Sequence, residues 1–259
     1  SPNGGTRVAE AIIVPATSDP DINTGGQIMY LENSASGSSI KGFTFDGDNP
    51  VLTSGVSMNG ADVDVLEAIS GYDGLSNVNI SNNIIKNLNY AGIDFYNYTN
   101  SGAATTGNTI ENNLFDNIVP AQYGVAILIY NNCYTNITNN VMTRVRVGIQ
   151  TGNFYQADPG NSRSISNNNI QTSRRGIFHN LAYSNASTFT ISGNSITASS
   201  TGLGTDWDGI LLSSLSVPSN STNNTITGPV SALSSQGYEI WNVKSNAPAS
   251  IIGGSVTGV

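Results

Sequence analysis

ISNNIIKN at residues 80–87 returns as IENNLFDN at 110–117, ITNNVMTR at 137–144 and ISNNNIQT at 165–172. Each copy sets two asparagines between apolar positions. Aligned on that pair, the series runs Asn82-Asn83, Asn112-Asn113, Asn139-Asn140, Asn167-Asn168, Gly193-Asn194, Asn223-Asn224 and Gly253-Gly254, in steps of 26 to 30 residues. Lys41-Gly42 in IKGFTFDG fits an earlier copy. A fixed period of this size is the signature of a repeat architecture.

Short apolar-polar-apolar runs such as VNI and FTI precede the pairs, and Ile84, Leu114, Val141, Ile170, Ile196 and Ile226 follow them. A second series lies further along each unit: Gly55-Val56, Gly92-Ile93, Gly124-Val125, Gly148-Ile149, Gly176-Ile177, Gly209-Ile210 and Gly237-Tyr238, each opening an alternating segment. Alternation of period two, with β-branched and aromatic residues, predicts two short strands per unit. Each unit then reads as one coil of a solenoid, its strands pairing parallel with those of the next coil at roughly 4.8 Å. One coil cannot bury its inward face alone, so every coil repeats the same inward pattern. The asparagine pairs fall at bends, where Asn tolerates left-handed backbone and its amide bonds to neighbours above and below.

Composition agrees. The chain has 259 residues, 38% of them hydrophobic, enough for a large core in one domain spanning 1–259. Only 10% are charged, against about a quarter in an average protein. Asn, Ser, Thr and Gly, all weak helix formers, fill the gap. A net charge of −8 with nine basic residues argues against nucleic acid as a partner. Cys133 is alone, so no disulfide framework and no cysteine zinc site forms within one chain. No run of 18 apolar residues predicts a membrane span. Residues 1–40 read as an irregular first coil or cap, and 59–75 as an acidic insertion. The last stretch, SIIGGSVTGV, stops mid-coil and reads as an uncapped end, with neighbouring domains of a longer chain as expected partners.

GFTFDGDNP, NVNISNNIIKN, GNTIENNLFDNI and the Gly-Ile strand openers resemble the right-handed parallel β-helix proteins of the pectate-lyase-like superfamily. The resemblance implies an all-β, right-handed, single-stranded parallel β-helix of about seven or more coils. It also implies a secreted or cell-surface setting. That superfamily holds lyases, hydrolases, phage tailspikes and inert surface modules, so function must be argued from a site.

The Gly-Ile register suggests one surface. Tyr90, Arg146, Arg174 and Trp207 stand two places before the glycine, and Tyr123, Arg175 and Asp208 one place before. Asp94 and Tyr96 follow it, and Arg144 lies close by. Four of the nine basic residues would share a patch flanked by aromatics, a groove for a cell-surface or acidic polysaccharide. The competing reading neutralises the arginines with Asp94, Asp116 or Asp208. Resemblance to the superfamily's lyases implies arginines that neutralise a uronate, with Asp94 and Asp116 as calcium ligands. A hydrolase would need paired carboxylates, which Asp206 and Asp208 offer on one turn. The lyase signature RxPxxR and the NTD, DD and GHG blocks of polygalacturonase-like enzymes are absent.

Asp62, Asp64, Glu67 and Asp73 form a second candidate set, for calcium; no other cofactor is called for. His179 falls in an inward column and reads as an interior histidine. Ala126, Phe178 and Leu211 read as an outward apolar column, the kind of face a tailspike-like trimer would bury. The leading expectation is an extracellular, noncatalytic structural or adhesive module. The alternative is a polysaccharide lyase or glycoside hydrolase.

Overall fold

The structure, a computed structural model, describes residues 11–97, 104–120, 123–158, 160, 163–183, 186–200, 206–217, 219–229, 234–241 and 249–259. It is a parallel β-helix, and each regular coil carries three strands rather than two. Ahead of the asparagine pair lie Ser39–Lys41, Asn79–Ser81, Thr105–Glu111, Cys133–Thr138, Ser164–Ser166, Thr190–Ser192, Ser219–Thr222 and Ala249–Ile252, hydrogen-bonded in that order. Behind it, a second ladder runs through Thr44–Asp46, Ile84–Lys86, Leu114–Ile118, Ser195–Ala198, Thr225–Thr227 and Ser255–Thr257. The third ladder contains Gln27–Leu31, Glu67–Tyr72, Ala91–Tyr96, Val125–Tyr130, Asp206–Ser213 and Ser234–Trp241. The long strands Val141–Gly152 and Asn169–Asn180 serve the second ladder with their first halves and the third with their second.

The asparagine pair splits the work of the first bend. Its first member takes left-handed backbone in every coil: Asn82, Asn112, Asn139, Asn167, Gly193, Asn223 and Gly253 all have φ between 54° and 66°. Its second member is buried, and Asn83, Asn113, Asn140, Asn168, Asn194 and Asn224 form one continuous amide ladder. Asn140 is representative: its Nδ2 donates to Ile110 O at 2.9 Å and to Asn168 Oδ1 at 3.0 Å. Its Oδ1 accepts from the Asn113 backbone N–H at 3.0 Å and from Asn113 Nδ2 at 3.1 Å. All four bonds run between coils, so the ladder staples each coil to the next and leaves no amide group idle.

The core is built from stacked apolar columns. Ile80, Ile110, Ile137, Ile165 and Ile191 come from the first ladder, Phe115, Met142, Ile170, Ile196 and Ile226 from the second, and Ile93, Ile127, Ile149, Ile177 and Ile210 from the third. Burying one such side chain stabilises by about 1.5–3 kcal/mol. The glycines that open the third-ladder strands make room for this packing. A Cβ on Gly176 would collide with the Ile196 side chain and the Gly209 carbonyl.

Three register expectations are corrected. Lys41 pairs with Ser81, so Gly42 and Phe43, not Lys41-Gly42, occupy the asparagine positions of the first coil. Ala91 pairs with Val125 and Ile93 with Ile127, which sets Ala126 opposite Gly92. Ala126 is therefore a core residue and not part of an outward face. Val56–Met58 pairs antiparallel with Ala61–Val63 in a hairpin outside the ladders. The regular rung is Glu67–Tyr72, whose Ile69 pairs with Ile93. The acidic stretch 59–75 is thus half of a hairpin followed by an ordinary coil strand.

Candidate functional site

On the third ladder, Ile93 and Phe95 point into the core, and Asp94 and Tyr96 lie on the opposite, outward face. The register sets Tyr72, Tyr96 and Tyr130 in one column, Ser70 beside Asp94, and Gln150 beside Leu128. Tyr72 and Tyr96 meet edge to face with ring centroids 6.4 Å apart. Tyr90, just before its strand, packs the same way on Tyr123 at 5.5 Å. The five tyrosines, Asp94, Leu128 and Gln150, with Glu67, Val125 and Asn153, line an open cleft of about 600 Å³.

Two carboxyl groups sit in this wall. Glu67 and Asp94 are both buried and interact electrostatically. Glu67 accepts a hydrogen bond from the Ser70 hydroxyl. Among the described residues Asp94 Oδ1 has no hydrogen-bond partner. Burial, reinforced by Glu67, pushes the Asp94 carboxyl well above the usual carboxylate range. Burial raises Glu67 as well, against the lowering effect of the Ser70 bond. Like charges in a shared dry site cannot both ionise freely, so the pair holds a proton above the ordinary carboxylate range. The Tyr90 hydroxyl is pushed up by burial and then by Asp94 and Glu67, and burial raises Tyr130 too. Both phenols therefore stay protonated and can donate. Flat aromatic faces with hydroxyl donors and carboxyl groups between them suit a flat ligand rich in hydroxyls.

Of the sequence-predicted surface, the cleft gathers Tyr90, Asp94, Tyr96 and Tyr123 and leaves the arginines out. Arg144 Nε donates to Asp116 Oδ1 at 2.8 Å, and its NH2 closes a bidentate pair on Asp116 Oδ2. Arg175 binds Asp208 Oδ2 through Nε at 3.0 Å and rests over the Phe178 ring, 5.1 Å from its centroid. Arg174 Nε lies 3.4 Å from Asp206 Oδ2. Asp206 and Asp208 thus each hold an arginine. Arg146 makes no ion pair among the described residues. Partial burial, and then Arg174 and Arg175 beside it, lower its pKa.

Trp207 is not on the surface. It is fully buried, and its Nε1 donates to the Thr172 carbonyl at 3.3 Å and the Thr172 hydroxyl at 3.2 Å. Trp207 precedes Asp208, which pairs with Arg175, yet it is buried where Arg174 is half-buried. Nor do Phe178 and Leu211 make an exposed face, since Arg175 covers the first and Leu211 is 2% exposed.

The four acids of the second set are scattered. Asp64 is buried beneath the hairpin, where its Oδ2 accepts the Asn49 N–H at 3.0 Å. Asp62 sits in the hairpin itself, Asp73 holds a left-handed turn at φ 52°, and Glu67 faces the cleft. Among the described residues no group of three or more His, Cys, Asp or Glu side chains could hold a metal ion. His179 is interior as expected. Its Nδ1 lies 2.8 Å from Thr151 Oγ1, its ring packs on Phe154 and Phe189, and burial lowers its pKa to about 3. Burial pushes the Cys133 thiol up to about 12, which leaves it unreactive.

Glu67, Tyr72 and Tyr130 were missed as partners of Asp94. A signal was there: EAISGY and VAILIY alternate like AGIDFY and end on the same tyrosine. Among the described residues no helix is long and apolar enough to cross a membrane. Comparison with known proteins finds no matching family model, no matching curated protein and no matching solved structure.

Proposed function

We propose that this β-helix is a glycan-binding module of a secreted or cell-surface protein, with the tyrosine-lined cleft as its binding site. We place it with the pectate-lyase-like β-helices on its period, asparagine pairs and Gly-Ile openers. The single observation that carries the reading is the joining of Tyr90, Tyr96, Tyr123 and Tyr130 with the buried Glu67 and Asp94 in one cleft of about 600 Å³. Buried acids repel an anionic ligand, and the arginines that would attract one lie elsewhere and are mostly paired. The ligand is therefore a neutral glycan rather than the acidic one suggested by the arginine count.

The test is a binding screen of neutral and uronate oligosaccharides against the wild type and a Tyr90→Ala, Tyr123→Ala double variant. A neutral hit that weakens at least about tenfold in the variant supports the reading. A uronate hit that is indifferent to the tyrosines overturns it.

Asp94 supports a second reading. A protonated carboxyl with a free oxygen, beside a second carboxyl in an aromatic cleft, is the equipment of a glycoside hydrolase, with Asp94 as the acid. Release of reducing ends that Asp94→Asn abolishes would favour this reading. Binding without release favours the noncatalytic module.

A further inference from the structure

The tyrosine cleft does not end at Tyr123. A second hollow of about 450 Å³ shares Ile22 and Tyr123 with it as wall residues. The chemistry of the two walls differs. The first side has Glu67 and Asp94, whereas the second is lined by Val56, Met58, Val119 and Pro120, with Ser57 and Asn89 as its polar members and no charge. One wall is the hairpin that breaks the repeat. It is pinned to the coil at both amide ends of Asn117: Asn59 Nδ2 donates to Asn117 Oδ1 at 2.7 Å, and Asn117 Nδ2 donates to Met58 O at 3.2 Å. The hairpin therefore stands as a fixed wall while Val56 remains 42% exposed and Ile22 38% exposed.

We infer that this hollow is a second subsite of the same ligand, and that it takes an alkyl or acyl group carried by the bound sugar. The inference rests on the proposed glycan reading of the first cleft and adds the substituent. Two features point to a ligand-borne chain rather than a docked protein segment. The hollow adjoins the sugar cleft at the shared residues Ile22 and Tyr123, and its size suits a small-molecule pocket. The Tyr123 ring, 47% exposed, lies where the sugar ends and the chain begins. Its face contacts either apolar surface.

The test uses methyl, butyl, hexyl and octyl β-glucosides below micelle formation, with the full chain and calorimetric dissociation constants. Burial of a methylene is worth up to about fourfold in affinity. Affinity is expected to rise about two- to fourfold per methylene until the hollow is full, then to level. Val56→Asp should flatten the series while methyl glucoside binding stays unchanged, which also shows that the variant folds. Val119→Ser, on a different segment, should reduce the slope in the same way. Tyr90→Ala should weaken all four glucosides in parallel. A wild-type series that is flat although methyl glucoside binds overturns the subsite and leaves the glycan reading standing. A slope that survives both hollow variants, or octanol binding as tightly as octyl glucoside, also overturns it. Failure of every glucoside to bind would take down the subsite together with the cleft it extends.

Discussion

The buried amide ladder and the outer face of the third ladder belong to the same coils and obey opposite rules. Along the ladder six successive coils repeat one residue, and nearly every polar atom of Asn83, Asn113, Asn140, Asn168 and Asn194 finds a partner in a neighbouring coil. On the outer face one register column reads Tyr30, Ser70, Asp94, Leu128, Gln150, Phe178, Leu211 and Glu239, with no two neighbours alike. There Asp94 keeps a buried oxygen without a partner among the described residues. Repetition marks what every coil must satisfy to stack. Departure from repetition, with an unmet polar group, marks what stacking does not explain.

The sharpest way to break this contrast lies within one asparagine pair. Asn140→Ala removes four inter-coil hydrogen bonds and strands their buried partners, an expected loss of about 3 kcal/mol or more in chemical denaturation. Asn139→Gly, one residue earlier, should cost no more than about 0.5 kcal/mol, because glycine accepts the left-handed backbone at φ 56°. Equal losses at the two positions would mean that the pair does not divide its work.

The next effect concerns pH. The folded carboxyl of Asp94 is raised, so the native state binds its proton more tightly than the unfolded chain. Its contribution is complete at acid pH and is lost as pH rises from the ordinary carboxylate range through the raised folded value. Asp94→Asn should therefore melt higher than wild type at neutral pH and show a flatter profile. A variant that melts lower at neutral pH would show that the charged form is the stabilised one. His179 runs the other way. Its folded pKa is lowered to about 3, so stability present above the ordinary histidine value of 6.5 is lost as pH falls from there toward 3. Its ring protons should not titrate in NMR spectra between roughly pH 5 and 8.

The smallest effect is expected at Arg144, which holds left-handed backbone at φ 49° in the column of Asn87 and Asn117. Arg144→Asn gives up an exposed ion pair worth about 0–1 kcal/mol and restores the residue type that this turn favours. Thermal denaturation should move little. A large loss would mean that the Asp116 contact carries more than a surface pair does.

The first bend was legible because its left-handed residue is nearly always Asn or Gly, a regularity that shows as a period. The other two bends use the same backbone with changing residues. One has Asn87, Asn117 and Arg144, and the other Asp73, Asn131, Asn153, Leu181 and Ser214. Asn and Asp still lead there, but Arg144, Leu181 and Ser214 break the series and no paired Asn marks it, so the third strand of each coil stayed hidden. The inward place of His179 was legible from strand alternation. Trp207 was not, because it shares its register place with surface arginines and is nonetheless buried, with its Nε1 bonded to Thr172. The cleft was half legible: Asp94 and three tyrosines were found from one register. Glu67 was lost because its acidic neighbours made a regular strand look like a loop.

The most direct test of the claim that the irregular face is the functional one is a chemical-shift map of the chain titrated with a neutral oligosaccharide. The account predicts perturbations on Glu67–Tyr72, Ala91–Tyr96 and Val125–Tyr130 and around Tyr123, with the asparagine ladder and the Arg174–Arg175 patch silent. Perturbations centred on Arg146, Arg174 and Arg175, with a quiet cleft, would contradict it and return the binding face to the arginines.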